Sequence, residues 1–355
     1  MNTQTILGKG QPGAIVHTIR NNCTEVGVKC CPNHKESKKS KEQSKWERRA
    51  ESKALTRTVM ARLNNYLEDQ ERIDPINKAE YKRWRKRYNH SFFCCHYVEQ
   101  HGDGIVTDKF CRQRWCSVCS RIRAANSIKG YGNTLEELPD LYFVTLTIRN
   151  VSGDALRQSM DGMQAVWRKV YRKLRDEGYK PKGYKKMEVT YNPVKKTYHP
   201  HYHLVISGQI AALRLQSLWM DYYGVDAGQG GQYVTKVTDE RKHGSIIELM
   251  KYCHKVLEQG KVHPAALHTI HKALLNRRTF GAFGIKKLQD INVEPEEVEI
   301  SQVNWLPKQT TIYIWNQWER TWVNSKGDSF VKWNNPRTEK TIQHNETTAH
   351  YEQSG

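Results

Sequence analysis

Between His199 and Ile206 the chain reads His-Pro-His-Tyr-His-Leu-Val-Ile. An extended strand sends alternate side chains to opposite faces, so His199, His201 and His203 share one side, and Tyr202, Leu204 and Ile206 the other. Two imidazoles at alternate strand positions can share one divalent ion and leave coordination positions open to water. A surface strand merely rich in histidine would read the same, so its neighbours must decide. Asn192-Pro-Val-Lys-Lys-Thr is a turn that pairs this strand with the preceding one, bringing Glu188 close to opposite His203. A His-His-Glu set is hard enough for magnesium or manganese and open enough for a phosphate oxygen. The plain alternative for Glu188 is an exposed strand carboxylate.

A second group lies in Ser245-Ile-Ile-Glu-Leu-Met-Lys-Tyr-Cys-His-Lys255. On a helix, Ile246, Leu249, Met250, Cys253 and Leu257 form a core stripe, while Glu248, Lys251, Tyr252 and Lys255 share the other side. Ser245 with Glu248 also fits a capping box, and Tyr252 could be an ordinary amphipathic residue. Together they offer an acid, cations and a phenol. A phenol is a good nucleophile for phosphodiester transfer beside a metal-polarised phosphate, and its ester conserves the bond energy. The carboxylate one turn earlier could activate water or a second hydroxyl, and Lys251 and Lys255 could hold phosphates.

Cys111-Arg-Gln-Arg-Trp-Cys116-Ser-Val-Cys119 ends in a Cys-x-x-Cys knuckle, with Cys94 and Cys95 upstream. Four thiolates in this layout would bind a structural zinc and fold a module with little core of its own. Cys95, Cys111, Cys116 and Cys119 make one such set; spacing alone does not separate Cys95 from Cys94, and His96 is a weaker candidate.

The elements that position these groups follow from periodicity. Leu55, Val59, Leu63 and Leu67 mark a helix over 54–68, and Tyr81-Lys-Arg-Trp-Arg-Lys-Arg-Tyr88 suits phosphate contacts or a basic helix with Trp84 docked. Leu141 to Arg149 is a strand, with Tyr142, Val144, Leu146 and Ile148 on one face and Thr145, Thr147 and Arg149 on the other. Asp154 can cap a helix whose stripe is Leu156, Met160, Met163, Trp167, Val170 and Leu174, ending at Gly178. Strands follow at 183–192 and through the histidines, then a helix from Ala211 to Tyr223, a strand from Gln232 to Thr238 and the Ser245–Glu258 helix. Strand, helix, strand, strand, helix, strand, helix is the split β-α-β, ferredoxin-like order: an α+β fold with an antiparallel sheet and one open face. That face should carry Thr145, Thr147, Glu188, Thr190, His201 and His203.

With 57 Lys and Arg against 37 Asp and Glu, the net charge of +20 favours a polyanionic partner. No apolar run is long enough to span a membrane, the first residues do not read as a secretory signal, and most of the nine cysteines sit in tight groups. A cytoplasmic protein facing nucleic acid, with no membrane partner, is the expectation.

The chain resembles the single-tyrosine rolling-circle replication initiators of small bacterial plasmids, in the HUH endonuclease superfamily. The resemblance rests on Phe143-Val-Thr-Leu-Thr-Ile-Arg-Asn150, Glu188-Val-Thr-Tyr-Asn192 with His199-Pro-His-Tyr-His203, and Glu248-Leu-Met-Lys-Tyr252, in the family's order. Trp115-Cys-Ser-Val-Cys119 with Arg121 and Arg123, and Arg278-Thr-Phe-Gly-Ala-Phe-Gly284, extend it over about residues 90–285. It implies that His201 and His203 are metal ligands, and that Tyr252 nicks one strand at the plasmid origin and keeps the 5′ end. Glu248 would promote termination by water, and the free 3′ hydroxyl would prime synthesis by a host polymerase, with a helicase and a single-strand-binding protein. Arg149, Lys251 and Lys255 are candidate DNA contacts.

The domain expectation is a flexible basic segment over 1–53, a helical Cys-rich zinc module over 54–139 and the endonuclease domain over 140–288. A Trp-rich extension over 289–333 and a disordered tail over 334–355 complete it. The Trp-rich stretch reads as a hairpin that packs on the main domain or stacks on unpaired bases. Competing readings are a transposase or relaxase with the same chemistry, and a non-catalytic zinc-containing nucleic-acid-binding protein. The last would place stacking aromatics on the open sheet face, where the sequence has Thr, Glu and His.

Overall fold

The structure is a computed structural model that describes residues 41–102, 106–238, 263–285 and 310–331. The predicted helix bearing Glu248, Lys251, Tyr252 and Lys255 lies outside these residues, as do the first 40 residues and the tail over 334–355. Two long helices come first, α1 (Lys41–Ile73) and α2 (Lys78–Phe92). Val59, Met60, Leu63 and Leu67 of α1 pack against Trp84 and Tyr88 of α2, so Trp84 is docked as the amphipathic alternative required. Lys41 to Lys53, expected to be flexible, are helical instead. Trp46, Ala50 and Lys53 are buried there, a stripe masked in the sequence by the charged residues around it.

Next come β1 (Tyr97–Gln100), β2 (Val106–Asp108) and α3 (Ser117–Glu137). The chain then lays down β3 (Leu141–Thr147), α4 (Gly153–Asp176), β4 (Gly183–Asn192), β5 (Thr197–Ser207), α5 (Gln209–Tyr223) and β6 (Tyr233–Lys236). Later elements are α6 (Pro264–Leu274), β7 (Phe280–Phe283) and the hairpin β8 (Thr311–Asn316) and β9 (Thr321–Val323). No helix among the described residues is long and apolar enough to cross a membrane.

The main sheet has the order β6-β3-β5-β4-β7, and its neighbouring strands all pair antiparallel. β5 sits between β3 and β4, as the split β-α-β order requires, and the fold is α+β. The six apolar residues predicted for α4 are its buried residues, and they close a core with Val144, Leu146, Leu204 and Ile206. Ser152, not Asp154, caps α4: its hydroxyl accepts from Ala155 N at 3.4 Å. Asp154 lies in the first turn, where a carboxylate still meets the positive end of the helix dipole. Gly183 is fixed by close approach, since a Cβ there would lie 2.0 Å from the Val205 carbonyl oxygen.

The opposite sheet face is open only in part. Tyr131 of α3 packs on Tyr184, which stacks with Phe280, and Val205 is fully buried beside them. The histidine end of this face carries the polar residues. A second sheet, β2-β1-β8-β9, joins the C-terminal hairpin to the cysteine-rich module. Trp315 and Trp322 are buried there against the cysteines and Trp46, whereas Trp318 is 87% exposed in the turn.

Candidate active site and metal centres

The register of the main sheet brings three predicted ligands together. Glu188 pairs with His201 rather than His203, whose direct partners are Lys186 and Thr145. Its carboxylate nevertheless reaches both rings, with Oε2 at 3.6 Å from each Nε2. His201 donates from Nδ1 to the His199 carbonyl at 3.0 Å, and His203 Nδ1 is hydrogen-bonded to the Thr145 hydroxyl at 3.2 Å. With Nδ1 engaged in this way, each ring turns Nε2 toward the shared centre, where the two nitrogens are 3.1 Å apart. Two nitrogen lone pairs at that distance repel unless a proton or a cation lies between them. Neighbouring ligands at right angles about an ion, each bonded at about 2.1 Å, would lie roughly 3 Å apart. The donor set fits one divalent ion, and Glu188, His201 and His203 converge closely enough to hold it.

Lys186 is the residue that periodicity passed over. It leaves β4 on the same face as Glu188, is 3% exposed, and forms an ion pair with that carboxylate. The signal was its alternation with Glu188 and Thr190, but lysine in a strand ordinarily signals solvent. Burial raises the Glu188 carboxyl, but the hydrogen bond to His201 and the charge of Lys186 outweigh it and hold the group well below the usual carboxylate range. His199, on the edge of the site, is lowered by burial and by His201. Behind the site, Gln232 accepts from Thr147 N at 2.9 Å and Trp219 donates to the Thr147 carbonyl at 2.9 Å, pinning the end of β3. Arg149 lies past that strand, exposed and 3.7 Å from Asp226.

The four buried thiols that converge within 4.8 Å are Cys94, Cys111, Cys116 and Cys119. Cys94, not Cys95, therefore supplies the fourth sulfur. Cys95 sits in a left-handed backbone conformation, φ 51°, and its thiol turns away to donate to Asp108 at 3.0 Å. Tetrahedral zinc–sulfur bonds of about 2.3 Å set sulfurs about 3.8 Å apart; Cys94–Cys119 and Cys111–Cys119 are at 3.5 and 3.6 Å. Backbone amides donate to two of the sulfurs, Cys111 N to Cys94 and Gln113 N to Cys111. The neighbouring thiols, Cys116 first, hydrogen-bond to Cys111 and push its thiol far down. Lys53, fully buried, donates to the Phe92 carbonyl at 2.8 Å and to the Cys94 carbonyl. Burial lowers its ammonium to about 8 against the raising influence of Cys95 and Cys94.

An antiparallel α+β sheet with a His-His-carboxylate cluster, beside a buried four-thiol module, defines a protein with two candidate metal centres. A family model described as a replication protein matches residues 104–210, which hold most of the sheet and three of the thiols. "Protein rep" of a Bacillus species is 30% identical over 220 residues, covering 50% of this chain and 69% of that one. "Protein rep" of Bacillus amyloliquefaciens is 28% identical over 218 residues, or 50% of this chain. The match spans 62% of that relative's length. A third, from Streptococcus pneumoniae serotype 2, is 26% identical over 250 residues, covering 61% of this chain and 77% of that protein. No solved structure matches significantly. The chain belongs to the Rep family of replication proteins.

Proposed function

We propose that this chain initiates rolling-circle replication of a plasmid by nicking one DNA strand at the origin. The observation that carries the proposal is the convergence of His201, His203 and Glu188 on one sheet face in a member of the Rep family. Magnesium or manganese held by these three residues would polarise the scissile phosphate. The Tyr252 phenolate oxygen attacks phosphorus, the bond from phosphorus to the 3′ oxygen breaks, and the 3′ hydroxyl takes up a proton. The products are a 5′-phosphotyrosine and a primer end for host helicase, single-strand-binding protein and polymerase. Glu248 activates the water that ends the cycle, and Lys251, Lys255 and Arg149 hold phosphates. Lys186 fixes the Glu188 carboxylate in the orientation that faces both imidazoles. Zinc held by Cys94, Cys111, Cys116 and Cys119 would be structural, tying the end of α2 to the start of α3 within the cluster that Trp46 of α1 and Trp315 and Trp322 of the hairpin pack against.

The test uses supercoiled plasmid carrying the chain's own gene, with and without manganese. The expected result is metal-dependent nicking that is abolished by Tyr252→Phe and by His203→Ala. Glu248→Ala should still nick and fail to release at termination. Nicking that survives in both Tyr252→Phe and His203→Ala refutes the proposal.

A further inference from the structure

The sheet face away from the histidines holds a lysine that its surroundings do not neutralise. Lys185 leaves β4 beside Met187 and Val189, positions that feed the apolar core. Its Nζ lies 5.0 Å from the centre of the Trp167 ring and 4.7 Å from that of Tyr202. Two aromatic faces offset part of the cost of burying an ammonium, but they carry no net charge. Burial, then the charges of Arg278 and Arg168, lower this ammonium to about 8.

The backbone explains why they meet. Lys185 pairs directly with Gly281 of β7, and directly paired residues project to the same side of a sheet. The Arg278 guanidinium lies over Gly281, 3.6 to 3.8 Å from the point a Cβ would occupy, and its Nε donates to the Phe280 carbonyl at 3.0 Å. Arg168 follows Trp167 on α4, the helix that packs over this part of the sheet. Gly284 ends the segment at φ 64°, where a Cβ would strike the Pro181 carbonyl oxygen at 2.1 Å. The stretch from Arg278 to Gly284 therefore builds an edge strand whose small Gly281 leaves room for the arginine. None of Arg168, Lys185 or Arg278 forms an ion pair among the described residues, whereas neighbouring Arg277 is matched by Asp161 at 2.7 Å.

We propose that Arg168, Lys185 and Arg278 form a phosphate-binding notch at the β7 edge of the sheet, and that its ligand is the backbone of the bound DNA. Three cations with no ion pair among the described residues, one of them largely buried, suit a phosphodiester oxyanion, which would relieve their mutual repulsion. A strand crossing the edge of the sheet from the histidine face meets the notch without any base being read. The choice of DNA rests on the proposed nicking function; the anion site itself rests on these three residues.

The test measures binding of a labelled single-stranded oligonucleotide to the full chain carrying Tyr252→Phe, so that no cleavage intervenes, over a range of salt. Lys185→Met and Arg278→Gln should each weaken binding equally for unrelated sequences and flatten the log–log salt slope by about 0.7, the value for one phosphate contact on a single strand. Lys326→Gln, an exposed loop cation, serves as the control for net charge and should leave the slope unchanged. Thermal stabilisation by inorganic phosphate, present in the parent and lost in Lys185→Met, supports the notch as an anion site. Phosphate stabilisation with an unaltered DNA slope overturns the DNA assignment, and no change in either overturns the site. Should Lys185→Met fail to fold, exposed Arg278 carries the test. An unchanged slope leaves the nicking proposal standing, and loss of nicking leaves the notch standing.

Discussion

Acidification should destabilise this protein through two buried rings. Tyr88 of α2, fully buried, places its hydroxyl 3.0 Å from His268 Nδ1 and 3.2 Å from His271 Nδ1 on α6. One hydroxyl can donate to one ring nitrogen and accept from the other, which satisfies two neutral imidazoles. A second ring proton would leave the hydroxyl hydrogen without an acceptor. Burial lowers His268 from 6.5 to about 4 and His271 from 6.5 to about 3. Above pH 6.5 both rings are neutral whether the chain is folded or not, so they make no pH-dependent contribution. Below it the unfolded chain binds protons that the folded one refuses, and stability falls until pH passes the folded values. At about 1.4 kcal/mol per pH unit for one proton, the drop from 6.5 to 5 removes about 2 kcal/mol per ring, about 4 kcal/mol for the pair. Urea unfolding at pH 7 and pH 5 reads this loss. His271→Leu keeps one ring and should recover about half of it. An identical loss in parent and variant would show that these rings are not its source.

Among the cysteines, Cys94→Ser should abolish stoichiometric zinc while Cys95→Ser retains it, as read by metal analysis of the purified proteins; the opposite pattern contradicts the assignment of the fourth thiol. Glu188→Gln removes the one negative ligand and should weaken manganese binding on the order of tenfold to a hundredfold by titration calorimetry, with the fold retained. Leu204→Ala, at a fully buried core position, should cost about 2 to 5 kcal/mol of unfolding free energy.

Elements with strong periodicity were legible in the sequence. The stripe from Leu156 to Leu174 reads as a helix because six large apolar residues recur at helical spacing, and all six are buried. The turn after Asn192 set the β4–β5 hairpin, and alternation alone put His201, His203 and Glu188 on one face. Finer choices depended on geometry that periodicity does not carry. Cys94 and Cys95 are adjacent, and only the left-handed turn at Cys95 selects between them. Pairing of β8 with β1 joins residues some two hundred positions apart, so no local pattern announces it. Lys53, Lys185 and Lys186 were hidden for one reason: a lysine in a sequence reads as solvent until its neighbours bury it.

The most direct measurement maps the covalent product. The chain is incubated with manganese and a DNA strand cut at its origin, digested, and its peptides are read by mass spectrometry. A nucleotide attached through its 5′ phosphate to Tyr252, absent when His201 and His203 are both replaced by alanine, is the predicted result. Attachment at another residue, or the same adduct without the two imidazoles, would contradict it.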